Sequence, residues 1–155
     1  MSRWGHGRIK RVRSDIYFSD YIRIRDNWCC MKCGKKFIQG VDSQRLHCAH
    51  VWFGRANLST RWEPINCLSL CMGCHNTLDQ HPAYAWELLS KHRTVEEIMW
   101  LQQQKDEKLT IKIPEKLERE EREKIKVMLK DLKEEKGNGS SISKGTGRRN
   151  KNGDN

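Results

Sequence analysis

Apolar side chains recur at helical spacing in two stretches of the chain and lose that period between them. From Asp15 onward, Ile16, Tyr17, Tyr21, Ile24 and Trp28 fit one face of a short helix, with Ser14 or Asp15 as its cap. Between Cys30 and Cys74 the chain is instead rich in Cys, Gly, His and Asn, which predicts turns and short strands. Helical spacing returns after Pro82 with Ala83, Trp86, Leu88 and Leu89. Thr94 followed by Glu97 forms a capping-box signature ahead of Val95, Ile98, Met99 and Leu101. Pro114 opens a third segment, Glu115 to Lys136, in which Leu117, Ile125, Met128, Leu129 and Leu132 make a sparse apolar stripe. Such a stripe can pack on the core, pair with a second copy or belong to a solvated helix.

The composition limits what these elements can build. With 155 residues, 36% hydrophobic and 32% charged, the chain has material for one modest domain, and something besides burial must help to hold it. Residues 1–14 form a basic arm, expected to be flexible, and residues 137–155 collapse to Gly, Ser, Asn, Lys and Arg, a disordered tail by composition. The expected partition is therefore an arm over 1–14, a metal-bracketed domain with its following helices over 15–110, a charged helix over 111–136 and a tail. Thirty Lys and Arg against twenty Asp and Glu give a formal charge of +10, which favours a polyanionic partner, nucleic acid first. No run approaches the roughly 20 apolar residues of a membrane span, and Met1 to Arg13 lacks the apolar stretch of a signal peptide. The expected setting is the cytoplasm, where paired cysteines bind metal more often than they form disulfides.

Seven cysteines then sort themselves by spacing. Cys30-Met31-Lys32-Cys33 and Cys71-Met72-Gly73-Cys74 are two Cys-x-x-Cys knuckles, and four thiolates around Zn²⁺ leave no position open for water. The site is expected to be structural, with Cys29, Cys48 and Cys67 outside it. Cys29 competes with Cys30 by a one-residue shift, but only Cys30 has the two-residue gap to Cys33.

Inside that bracket lie Leu46-His47-Cys48-Ala49-His50-Val51, then Arg61-Trp62-Glu63-Pro64 ahead of Asn66, then Leu70-Cys71-Met72-Gly73-Cys74-His75. Here the chain resembles the HNH, or ββα-metal, endonucleases, and particularly the phage proteins around the NinG recombination family. The resemblance covers about residues 16 to 90. It implies an α+β fold, a small zinc-stabilised ββα-metal domain with flanking helices and disordered basic tails. Its implied activity is metal-dependent hydrolysis of DNA, leaving a 5′-phosphate and a 3′-hydroxyl, in phage recombination or DNA processing and hence in a host cytoplasm.

The roles implied by the resemblance are specific. His50 would be the general base, Asn66 would tie the hairpin loop and orient it, and His75 would open a helix and present a nitrogen to Mg²⁺ or Mn²⁺. These rings are expected to face one another across a cation-sized gap. Asp79, one helical turn after His75, is a second candidate ligand with an ordinary surface aspartate as its alternative. Many family members carry Asp or His directly before the base, where this chain has Ala49. His47 is the available substitute, although strand alternation points it away from His50 unless a bulge intervenes. Arg55 and Arg61 are candidate phosphate contacts; Arg61 has a structural alternative, an ion pair with Asp42 or Glu63 beneath Trp62. The Ala49 departure keeps a second class open, a zinc-stabilised DNA-binding module without hydrolysis, and a redox or metal-sensing regulator is a third. The charged segment after Pro114 makes a homodimer an option.

Overall fold

The computed structural model describes residues 9–81, 83–106 and 112–139. Within them the fold is α+β, with five helices and one two-stranded antiparallel sheet. The expectations placed on residues 1–8 and 140–155 lie outside the described residues. No described helix is long and apolar enough to cross a membrane.

Helix α1 spans Arg13–Arg25 and starts ahead of its expected cap. Val12 occupies the cap position, and Asp15 reaches back to accept a hydrogen bond from the Val12 amide at 2.9 Å. Ser14 instead ties the helix to a distant segment, its hydroxyl donating to the Glu118 carbonyl at 2.9 Å. The buried face of α1 is Phe18, Ile22 and Ile24, while Ile16, expected inside, is half exposed. After the helix, Asn27 and Trp28 both adopt φ 54°, a left-handed conformation that non-glycine residues avoid. Two backbone bonds hold the turn, Trp28 N to the Arg23 carbonyl and Phe37 N to the Trp28 carbonyl, each 2.8 Å. They swing the chain into the first knuckle.

Strands β1 (Leu46–His50) and β2 (Cys67–Cys71) pair in unbroken register, Leu46 opposite Cys71 through His50 opposite Cys67. A two-stranded sheet is marginal alone, so both of its faces are covered. Ala49, Leu68 and Leu70 pack with residues of helices α2 (Met72–Gln80), α3 (Tyr84–Ser90) and α4 (Val95–Gln103), among them Leu78, Leu89, Ile98 and Leu101. Cys67 on the other face packs with Phe18 and Ile22 of α1 and with Ile125. Thr94 caps α4 with the capping box its spacing predicts, its hydroxyl accepting from the Glu97 amide at 3.2 Å. Helix α5 runs Glu115–Gly139, three residues beyond its expected end. Its sparse stripe packs on the core: Ile125 and Leu129 are buried, and the helix lies along α1.

A buried ion pair locks α1 to the loop between the strands. Arg61 is 0% exposed, and its guanidinium grips Asp15 through Nε–Oδ1 at 3.0 Å and an Nη2–Oδ2 contact at 2.6 Å. Trp62 Nε1 donates to the same carboxylate at 2.9 Å, and the Arg55 and Lys10 carbonyls each accept a further Arg61 hydrogen. Burial works to raise the Asp15 pKa, but the Arg61 and Val12 hydrogen bonds outweigh it and hold the carboxyl below its ordinary value. Arg61 therefore corrects its expected role: its fork is closed inside the protein by Asp15, not by Asp42 or Glu63, and no phosphate reaches it. Breaking one side of such a pair strands a buried charge, so Arg61→Met is expected to cost about 3 to 5 kcal/mol in urea unfolding, with most of the loss recovered in Arg61→Met/Asp15→Leu.

Candidate metal centre and hydrolytic site

The first knuckle is a tight turn tied back to the sheet. The Cys30 amide donates to the Lys35 carbonyl and the Gly34 amide to the Cys30 carbonyl, both at 2.8 Å, with Gly34 at φ 75°. Glycine meets that angle without a Cβ penalty. Met31 N donates to the Ser69 carbonyl at 2.8 Å, which fastens the turn to β2. The second knuckle straddles the end of β2 and the first turn of α2, with Cys71 as the helix cap.

The four sulfurs of Cys30, Cys33, Cys71 and Cys74 lie within 4.8 Å of one another and can hold a metal ion. Cys33 and Cys71 are 3.8 Å apart. That separation matches the edge of a tetrahedron whose metal–sulfur bonds are about 2.3 Å. Burial opposes ionisation of Cys30, yet the amides of Cys33, Cys71 and Lys32 aimed at its sulfur bring its pKa down to about 7. The Cys74 thiol is pushed up, by burial and by the other thiols around it. A cation at the centre removes that conflict. Cys29 stands apart and donates to the Gly34 carbonyl at 3.1 Å.

Asn66, fully buried, makes a complete set of contacts with the loop between the strands. Its Oδ1 accepts from the Trp52 and Phe53 amides at 3.0 and 3.1 Å, and its Nδ2 donates to the Phe53 and Thr60 carbonyls at 2.7 and 3.2 Å. His50 closes β1 at the mouth of that loop, with Nε2 2.8 Å from the Arg61 carbonyl. A carbonyl only accepts, so Nε2 carries the hydrogen and Nδ1 the lone pair. Burial lowers the His50 pKa from 6.5 to about 4, against the Arg61 carbonyl, which acts to raise it. The ring is neutral at pH 7.

His47 is oriented the same way. Its Nε2 meets the Gln44 carbonyl at 3.1 Å, which leaves Nδ1 aimed at Nδ1 of His75, 3.0 Å away. Fixing one imidazole nitrogen on a carbonyl so that the other points at a shared position is how metal-ligating histidines are held. Asp79 approaches the opposite nitrogen of His75, with Oδ2 4.0 Å from Nε2. In this arrangement Asp79 lies beyond hydrogen-bond distance on the far side of the His75 ring and does not share the position that His47 and His75 define. Among the described residues, no third donor joins those two imidazoles as closely as the cysteines join one another.

His47 and His75 thus come together, and His50 does not join them. With β1 and β2 in unbroken register there is no bulge, so His47 and Ala49 face α2 while Cys48 and His50 face α1. The electrostatic neighbours of His50 are Arg55, Asp15 and Arg61. The expected facing of rings 50 and 75 is corrected: ring 75 meets ring 47 edge-on at hydrogen-bond distance, and ring 50 lies on the other face of the hairpin. Arg55 is half-buried in the loop between the strands and enters none of the described ion pairs. Sequence reasoning missed the Gln44 carbonyl, the Asp15 partner of Arg61, and Arg25 and Arg93, whose guanidiniums both donate to the Pro64 and Cys67 carbonyls ahead of β2. Apart from the Gln44 contact, which lies three residues from His47, these join distant segments, and no local spacing signals them.

No family model matches this chain, and no curated protein or solved structure matches it.

Two outcomes are expected from this geometry. Native mass spectrometry should find one tightly held divalent ion per chain, and Cys33→Ser or Cys74→Ser should release it and lower the melting temperature; full metal retention by both variants would sink the four-sulfur site. In an NMR titration the His50 ring should show a midpoint near 4. Because the unfolded ring titrates near 6.5, its contribution to stability is present above that pH and is lost as the pH falls towards 4.

Proposed function

We propose that this chain is a metal-dependent DNA endonuclease of the HNH type, held together by a structural Zn²⁺ on Cys30, Cys33, Cys71 and Cys74. The observation that carries the reading is the pair of imidazole nitrogens of His47 and His75, 3.0 Å apart where the hairpin meets the helix that follows it, one of them pre-oriented by a backbone carbonyl. Their separation suits two neighbouring ligands of one ion with bonds of about 2.1 Å. Of the two ions expected, Mn²⁺ fits nitrogen donors better than Mg²⁺, which takes oxygen. Such an ion, when bound, supplies positive charge for the phosphate and for the leaving oxygen.

The chain's own groups perform the remaining work. His50, neutral at pH 7 and fixed by the Arg61 carbonyl, offers Nδ1 for the proton of the attacking water, and bound DNA must bring that water round the end of β1, because His50 and the His47–His75 pair lie on opposite faces of the hairpin. Its depressed pKa makes it a weak base in the free protein, and the negative charge of an incoming phosphate shifts that pKa upward. Asn66 keeps the loop after His50 from moving away. Asp79, one turn along the helix from His75, adds negative charge beside the ring, Arg55 offers a cation to the flanking phosphates, and the +10 charge draws DNA in. The reading places the enzyme in phage recombination or DNA processing, in the host cytoplasm.

A second reading, a zinc-stabilised DNA-binding module without hydrolysis, is favoured by one specific observation: His50 faces α1 while the His47–His75 pair faces α2. Supercoiled plasmid incubated with Mg²⁺, Mn²⁺, Co²⁺ or Ni²⁺ separates the two. The nuclease reading expects nicking that His50→Ala lowers by roughly a hundredfold or more, with His47→Ala and His75→Ala raising the metal concentration required. Equal nicking by wild type and His50→Ala would remove His50 as the base. Plasmid binding without nicking under every metal would leave the binding module.

A further inference from the structure

The charged side chains of this protein are not distributed evenly between paired and unpaired states. On α5, Lys124, Lys126 and Lys130 each meet a glutamate of their own helix, Glu121, Glu123 and Glu134. Lys91 is likewise held by Glu87 at 2.7 Å. The first knuckle differs. Lys32, Lys35 and Lys36 are exposed, and none of them enters a described ion pair. The acids that act on this loop are already engaged: Asp42 with Arg45 and the Ile38 amide, Glu87 with Lys91. Aromatic rings prop two of the three, with Lys32 Nζ 4.4 Å from the Tyr84 ring centroid and Lys35 Nζ 5.7 Å from that of Phe37. Three cations brought together within five residues repel one another, and the acids whose charge reaches Lys32 and Lys35, Glu87 and Asp42, are each shared with a closer cation, Lys91 and Arg45.

The loop that carries them is anchored to the fold by the Met31 amide on the Ser69 carbonyl and by the His92 ring on the Met31 carbonyl. Lys32 adjoins Cys33, His75 adjoins Cys74, and the sulfurs of Cys33 and Cys74 lie within 4.8 Å of each other. A metal at that cluster fixes the lysines and His75 in one frame. We propose that the first knuckle is a phosphate-binding edge: Lys32, Lys35 and Lys36 hold the sugar-phosphate backbone of duplex DNA, and the four-sulfur cluster sets their position relative to His75. The inference rests on the proposed DNA substrate but not on hydrolysis. Each neutralised phosphate releases condensed counterions, so these contacts have a signature in salt dependence that local stability does not share.

The test measures binding of the metal-loaded protein to a fluorescent 20-base-pair duplex, without added Mg²⁺ or Mn²⁺, across a range of KCl. Lys32→Gln/Lys35→Gln/Lys36→Gln is expected to weaken binding and to reduce the slope of log affinity against log salt by about 2 to 3, at about 0.9 per phosphate contact. Lys124→Gln/Lys126→Gln/Lys130→Gln removes the same charge from α5 and is expected to leave the slope unchanged. Equal slopes in wild type and the knuckle variant would overturn the proposal, as would equal losses in the two variants, which would mean net charge alone is at work. Loss of binding to phosphatidylserine vesicles in the knuckle variant with its DNA slope intact would also overturn it, in favour of a membrane surface. A protein that never cuts DNA but shows the expected slope change supports this edge and counts only against the hydrolytic reading.

Discussion

Four sulfurs packed within 4.8 Å of one another set the terms for everything around them. They come from a turn after α1, from the end of β2 and from the first turn of α2, three segments that a two-stranded sheet is too small to hold in register alone. Thiolates at that range repel each other, and thiols there displace apolar packing without replacing it. A central cation, which the four sulfurs can hold, would turn the same crowding into cohesion, and its binding energy would become folding energy because the unfolded chain has no such site. The Met31 amide on the Ser69 carbonyl and the His92 ring on the Met31 carbonyl show how the rest of the chain is hung from this point.

The hairpin between the knuckles acts as a partition. One face meets α2, α3 and α4, the other meets α1 and α5, and each polar residue on the strands is committed to one side. His47 is assigned to α2 and to His75, while His50 is assigned to α1 and the Arg61 carbonyl. The loop joining the strands is fixed from within by Asn66 and from without by the Arg61–Asp15 pair. Both devices bury polar groups with their partners supplied, which stiffens the loop without leaving a charge or amide unsatisfied. A rigid loop with a carbonyl-held imidazole on each face of the hairpin, His47 on one and His50 on the other, is the arrangement from which hydrolytic chemistry and DNA binding are both proposed.

Spacing within a few residues was enough to determine much of this. The two Cys-x-x-Cys pairs, the exclusion of Cys29, the Thr94–Glu97 cap and the existence of a helix after Pro114 follow from geometry that the local chain carries in itself. Helix ends were less legible, because Val12 became the cap when Asp15 reached back to its amide, and because α5 continued past Lys136.

Tertiary structure decided which side chains share a space. Alternation along β1 depends on whether a bulge is present, and that is set by the pairing of Leu46 through His50 with β2, a contact no single segment encodes. Hence the sequence alone placed His47 and His50 between two Cys-x-x-Cys pairs and His75 directly after the second, while only the fold sent two of them to one face and the third to the other. Arg61 reads either as a phosphate contact or as half of an ion pair with Asp42 or Glu63 until α1 brings Asp15 to it from 46 positions away. The α5 stripe, ambiguous as a pattern, became core because α1 offered it Phe18 and Ile22. Local spacing fixes the geometry of bonds a few residues apart, and long-range packing alone selects partners, since burial of a charge or an apolar stripe depends on what the rest of the chain places against it.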